Sequence, residues 1–179
     1  MRCLGMRPIG SDRVLDVLYR REYHLSANLR TYIRPNMLSK RAKYALNALL
    51  ELAKAQKEGP LSAATLAARA RVPVKFLEAI LVDLRNAGLI TSRRGRTGGH
   101  SLRKAAAEIH MAELVRLFDG AIGLVPCVTH TYYEKCEECV DEASCGIRDV
   151  FLEVREATVR MMKKATLADI LARERKLQP

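Results

Sequence analysis

Tryptophan is absent and aromatic residues make up only 5% of the chain, so packing has to rest on aliphatic side chains. No run approaches the roughly 18 consecutive apolar residues of a membrane span, and the N-terminus lacks the apolar stretch of a signal peptide. The expectation from these two absences is a cytoplasmic protein with no membrane partner. Catalytic signatures are missing as well. There is no phosphate-binding loop, paired-histidine metal motif or nucleophile elbow, and the glycines of RRGRTGG follow a strand pattern without opening a helix. Neither an enzyme nor a small-molecule substrate is expected. What is present is enough length, 179 residues at 49% hydrophobic, for one ordinary core, with a formal charge of +11 and a pI near 9.7. A basic balance suits a polyanionic partner, and the distribution of the charge decides whether that partner is nucleic acid.

Cysteine is scarce outside one place. Four of the five lie in CVTHTYYEKCEECVDEASC, at Cys127, Cys136, Cys139 and Cys145. This spacing lets several sulfurs converge on one centre from a single loop, and clustered thiols in a reducing compartment point to metal or redox chemistry. The loop also carries Glu134, Glu137, Glu138, Asp141 and Glu142 against Lys135 alone, a poor surface for nucleic acid.

Residues 1–36 hold seven arginines and three acids and read as an N-terminal extension, with a short helix from Ser11 to Glu22 and an isolated thiol at Cys3. The pattern changes sharply at Met37, which is expected to be the natural start; the other reading is a basic arm on DNA phosphates. Residues 37–122 then read as a winged helix-turn-helix domain. Ala42, Ala45, Leu46, Leu49, Leu50 and Ala53 recur at helical spacing until Gly59 and Pro60. Ser62 caps a second helix over Ala63–Ala70, and a third runs from Val74 to about Ala87, with Gly88 past its end. In that third helix Leu77, Ile80, Leu81 and Leu84 form the buried stripe, leaving Lys75, Glu78, Val82 and Arg85 toward a major groove.

LITS and HSLRK read as the strands of a hairpin wing with RRGRTGG as its tip. From Arg85 to Lys104 there are six basic residues and no acid, which is the footprint of DNA binding. The plainer reading of Arg93, Arg94 and Arg96 is a solvated loop. Ile109, Met111, Leu114, Val115 and Phe118 predict a short helix ending at Gly120, and residues 123–146 form the cysteine loop. In residues 147–179 the stripe Ile147, Val150, Phe151, Val154, Thr158, Met161, Met162 outlasts what a domain of this size must cover. It predicts a homodimer helix in which both methionines pack and do not ligate. A last short helix is expected over Thr166 to Leu171. The fold class is thus mainly α, a winged helix-turn-helix with a long C-terminal dimerisation helix.

MLSKRAKYAL, then VPVKFLEAILVDLRNAGLITSRRGRTGGHSL, then a cysteine loop and a long helix, is an order that resembles the Rrf2 family of bacterial transcription regulators over residues 37 to about 171. Its most specific parts are FLE and LRNAGLITSRRG with Gly98 and Gly99. The resemblance implies a dimeric regulator, often a repressor, that binds a double-stranded DNA operator. In many members the cysteine loop carries an iron–sulfur cluster, here either 2Fe–2S or 4Fe–4S. Recognition contacts fall on Lys75 and Glu78, and the wing arginine on Arg94, flanked by Arg93 and Arg96. Arginine is drawn into a narrow groove by the potential there, and Glu78 can accept from a cytosine amino group. Its plainer role is a surface carboxylate paired with Lys75.

The implied ligands are Cys127 and Cys145, with Cys136 or Cys139 between them. Lys43 stands where some relatives have an acidic ligand and Arg148 where others have a histidine, which favours all four cysteines. His130 can replace a sulfur but reads better as a surface histidine, and His100 occupies a usual tyrosine position in the wing. Two other occupants of the loop stay open. One is a tetrahedral zinc staple. The other is a thiol switch between Cys136 and Cys139, disfavoured by the surrounding carboxylates.

Overall fold

The computed structural model describes residues 38–95 and 97–177; the helix expected at Ser11 to Glu22, Cys3, Met37 and Arg96 lie outside these described residues. Helix α1 (Lys40–Lys54) starts at Ser39, whose Oγ accepts the Ala42 N–H at 3.0 Å and so satisfies one of the unpaired donors of the first turn. Its buried face is broader than the single stripe in the sequence: Ala48 and Leu52 are buried with Ala42, Ala45, Leu49 and Leu50, while Leu46 and Ala53 lie at the edge. The reason is position, since α1 is the central helix, packed against the other helices of the domain and the wing.

Helix α2 (Ala63–Ala70) is capped by Ser62, whose Oγ accepts the Thr65 N–H at 3.1 Å. A tight turn through Arg71, held at φ 54° and ψ 45°, leads into α3 (Val74–Asn86). Leu77, Ile80, Leu81 and Leu84 are buried, as the spacing predicts. Helix α3 closes with a bond from the Leu89 N–H to the Leu84 carbonyl, with Gly88 at φ +72°.

Strands β1 (Ile90–Arg93) and β2 (Gly99–Leu102) pair antiparallel, with Ser92 opposite His100 and Arg93 opposite Gly99. Each begins one residue away from its expected place, because Leu89 is used in closing α3 and Gly99 enters the ladder. Leu61 exchanges two backbone hydrogen bonds with His100, at 3.0 and 2.8 Å, and so fastens the wing to the segment before α2.

Helix α4 (Met111–Asp119) packs on α1, helix α5 (Gly146–Lys164) packs on α4, and α6 (Leu167–Leu177) returns to the core. Leu167 and Leu171 are buried there, and paired backbone bonds across His110 and Thr166 set the approach. Helix α6 runs past the expected Leu171, its added length being mostly charged and mostly exposed. The largest fully buried side chains are all Leu or Ile (Leu49, Leu66, Leu77, Ile80, Leu84, Leu89, Ile90, Ile109 and Leu167), an aliphatic core in a tryptophan-free chain. Among the described residues no helix is long and apolar enough to cross a membrane.

Candidate nucleic-acid interface and cysteine loop

The buried stripe of α3 turns Lys75, Glu78, Ala79, Val82 and Arg85 outward, all exposed. Among the described residues Glu78 makes no ion pair, Lys75 included, so its carboxylate is free to accept from a ligand. One residue the sequence reading passed over is Phe76, 65% exposed in the first turn of α3. Its signal was available: position 76 falls outside the 77, 80, 81, 84 stripe.

Arg93 and Arg94 are exposed beside the tip of a wing that leaves no room for a side chain at Gly98 or Gly99. A Cβ at Gly98 would sit 2.2 Å from the Arg93 carbonyl oxygen, and one at Gly99, whose φ is +152°, would sit 2.6 Å from that of Leu61. The arginines therefore project from a constrained hairpin. Behind it, Ala63, Glu78, Leu81, Val82, Arg85, Ser92 and His100 line a shallow cleft between α3 and the wing. Ser92 Oγ lies 2.9 Å from His100 Nδ1. Burial pushes the His100 pKa below its usual value, and the nearby Arg85 charge acts in the same direction.

The N-terminal end of α1 joins this face to α4. Arg41 pairs with Asp83 of α3, and its guanidinium lies 5.8 Å from the centre of the Phe118 ring. Asp119, the last residue of α4, accepts the Ser39 N–H at 3.2 Å.

Immediately past α4 comes Gly120, at φ +82°, where a Cβ would lie 3.0 Å from the Tyr132 ring, so the cysteine loop rests on the end of α4. The loop is held by local bonds. Asp141 accepts from the Ser144 hydroxyl at 2.7 Å and from the N–H groups of Ser144 and Ala143, which draws its carboxyl below the usual range. Tyr133 donates to Glu142, which raises the phenol pKa. Cys127 is buried in a short 3-10 turn, Pro126–Val128, whereas Cys136 is exposed and Cys139 and Cys145 are intermediate. Cys145 is the N-cap of α5, and its Sγ accepts the Arg148 N–H at 3.5 Å.

All four thiols are free. Burial and then a hydrogen bond to Cys136 raise the Cys127 pKa; burial and then the charge of Cys145 raise that of Cys139. Among the described residues, no three His, Cys, Asp or Glu side chains are gathered into one metal-binding set. His130 is exposed on the loop and Lys43 is exposed on α1. The donor set nevertheless fits a thiolate-held group in one further respect. Arg148 Nε is buried with no hydrogen-bond partner among the described residues, while its charge is felt at Cys127 and Tyr133. An anionic centre bound to the cysteines would satisfy that cation.

The outer face of α5 is also unpartnered. The sequence stripe divides in two: Phe151 and Met162 are half-buried against the chain, whereas Ile147, Val150, Val154 and Met161 are exposed, Ile147 at 68% and Met161 at 71%.

A helix-turn-helix on an aliphatic core, closed by a basic hairpin that presents its arginines beside the second helix, defines a winged-helix DNA-binding transcriptional regulator. Within that class the chain belongs to the Rrf2 family: residues 38–173 match it under the description of an iron-dependent transcriptional regulator. An rrf2-like HTH-type transcriptional regulator of Rhodobacter capsulatus is 46% identical over 139 residues, covering 76% of this chain and 93% of that protein. Among solved structures, CymR, the global cysteine regulator of Bacillus subtilis, matches at 29% identity with a TM-score of 0.63, covering 76% of this chain and 96% of the other. IscR of T. potens matches at 26% identity with a TM-score of 0.61, covering 80% and 91%. These relatives are regulators, and none is named as an enzyme.

Proposed function

We propose that the protein is a homodimeric repressor whose operator affinity is controlled by an iron–sulfur cluster on Cys127, Cys136, Cys139 and Cys145. The observation that carries this reading is the orphaned Arg148 Nε, close to Cys127 and Cys145 on a loop with four free thiols. When bound, the cluster supplies a redox- and supply-sensitive cross-link among the thiolates. The loop bears through Tyr132 on the end of α4, whose Phe118 and Asp119 hold Arg41 and Ser39. Arg41 in turn pairs with Asp83 on α3. Fixing or releasing the loop thus bears on the helix that carries Lys75 and Glu78, a physical route for coupling two sites. The DNA contacts are Lys75 and Glu78 in the major groove and Arg94, with Arg93 and Arg96 beside it, at the wing. The exposed seam of α5 packs on the same seam of a second copy, which sets the two wings on paired half-sites.

A second reading keeps the DNA binding and gives the same cysteines a structural zinc, or gives Cys136 and Cys139 a reversible disulfide; four free thiols on one loop support it equally. Against the disulfide stands the burial that holds Cys127 and Cys139 in the protonated, less reactive form.

The deciding experiment is oxygen-free purification with a visible spectrum and iron, zinc and sulfide analysis, followed by operator binding with and without the bound group. Brown protein holding iron and sulfide, lost in a Cys136→Ala, Cys139→Ala variant, is expected. Colourless protein with one zinc, or with no metal, overturns the cluster; full metal retention in the double variant removes the four-cysteine site.

A further inference from the structure

We propose that Phe76 and Val82, with Ala79 between them, form an apolar surface that reads the 5-methyl groups of thymine, so that operator choice depends on thymines beneath α3 as well as on its polar contacts. This rests on the DNA-binding reading above and deepens it. Three observations support it. The residues stand three apart on a 13-residue helix, so they share the outward half opposite the buried leucines. They are open to solvent, Phe76 at 65% and Val82 at 45%, with Ala79 exposed between them. An apolar patch on the solvent side of a helix marks a binding surface more often than it marks a fault in packing.

The third observation is the charge around the patch, which selects the occupant. Lys75 and Arg85 flank it on α3, and Arg93 and Arg94 are exposed on the adjoining wing. Of the two acids on α3, Asp83 is already paired with Arg41, leaving Glu78 alone. A second copy would bring the same cations against these, whereas a polyanion is attracted. The apolar group that a polyanionic duplex displays in its major groove is the thymine methyl, which accepts contact from side chains such as Phe and Ala. Phe76, in the first turn of α3, stands where a recognition helix meets base edges.

The test uses the full chain, purified with its native loop ligand, to select duplexes from a random library. Each thymine of the selected site is then replaced by uracil, which removes the methyl and leaves the pairing edge intact. At one or more thymines of each half-site, uracil is expected to weaken binding about fourfold, the worth of one buried methyl-sized group. Phe76→Ala is expected to bind thymine and uracil duplexes alike at that position; being exposed, Phe76 can be removed without opening the core, and circular dichroism checks this. Enrichment of a sequence with indifference to uracil everywhere overturns this inference while leaving the DNA-binding reading standing. Failure to enrich any sequence overturns both. A Phe76→Ala protein that changes its sedimentation and keeps its thymine discrimination shows instead that the patch joins copies of the chain, which also overturns the inference.

Discussion

The winged-helix body and the long helix α5 differ in how their apolar surface is covered. Every other α-helix of the described chain has at least two buried side chains and contributes to one aliphatic core. Helix α5 is the longest at 19 residues and contributes none. It leans on α4 through a half-buried inner face and leaves Ile147, Val150, Val154 and Met161 to solvent. The body is specified by its own sequence, down to the glycines that let the wing turn. The C-terminal arm is not closed in this way: the apolar seam of α5 is exposed, and Arg148 Nε is buried without a hydrogen-bond partner among the described residues.

The largest expected effect breaks the arm and spares the body. In a symmetric dimer Val150→Asp with Val154→Asp removes four buried valines and adds four charges. At about 1.5 kcal/mol or more per valine, the dissociation constant rises on the order of ten-thousand-fold. Sedimentation equilibrium should find a folded monomer with an unchanged helical spectrum. An unchanged dimer would place the interface elsewhere. An intermediate effect runs the other way: Arg94→Ala is expected to weaken operator binding by about 1 to 3 kcal/mol and reduce the salt dependence by about one charge, with the dimer intact. Full affinity at physiological salt would return the wing arginine to a solvated loop.

The same contrast explains what the sequence disclosed. The stripe of Leu77, Ile80, Leu81 and Leu84 was legible because a helix buried on one side imposes a strict period on its residues. The wing was legible because a tight basic hairpin needs glycine where a Cβ would strike backbone. The breadth of α1 was not, because alanine serves equally well on an open or a buried face, and burial of Ala48 depends on neighbours far along the chain. The length of α6 was missed for a related reason: only Leu167 and Leu171 are buried on its inner side, and mostly charged residues carry it onward. At the site, cysteine spacing marked one loop that carries four thiols, yet the link from Tyr132 through α4 and Arg41 to Asp83 joins residues with no common sequence pattern. Phe76 was overlooked because an aromatic beside a leucine stripe is ordinarily assigned to the core.

The smallest effect separates body from arm by pH. His100 sits half-buried between the wing and α3, with Glu78 and Arg85 lining the same cleft and Ser92 bonded to Nδ1. Burial first, and Arg85 second, hold its folded pKa below the value of an unfolded chain. Between those two values the unfolded state binds the proton more readily, so stability rises with pH there. The stabilisation of the neutral ring is complete above the unfolded value of about 6.5 and is lost as pH falls through that value toward the folded one. His100→Gln keeps a group that can bond Ser92 and cannot titrate in this range. The unmodified chain should therefore lose more thermal stability than the glutamine variant between neutral and mildly acidic pH, while dissociation of a dimer through the proposed α5 seam, far from the wing in sequence and aliphatic in character, shows no difference between the two. Equal pH dependence of melting in both proteins would mean that the wing tolerates a charged ring, and that the contact between wing and α3 is looser than the Ser92 to His100 bond implies.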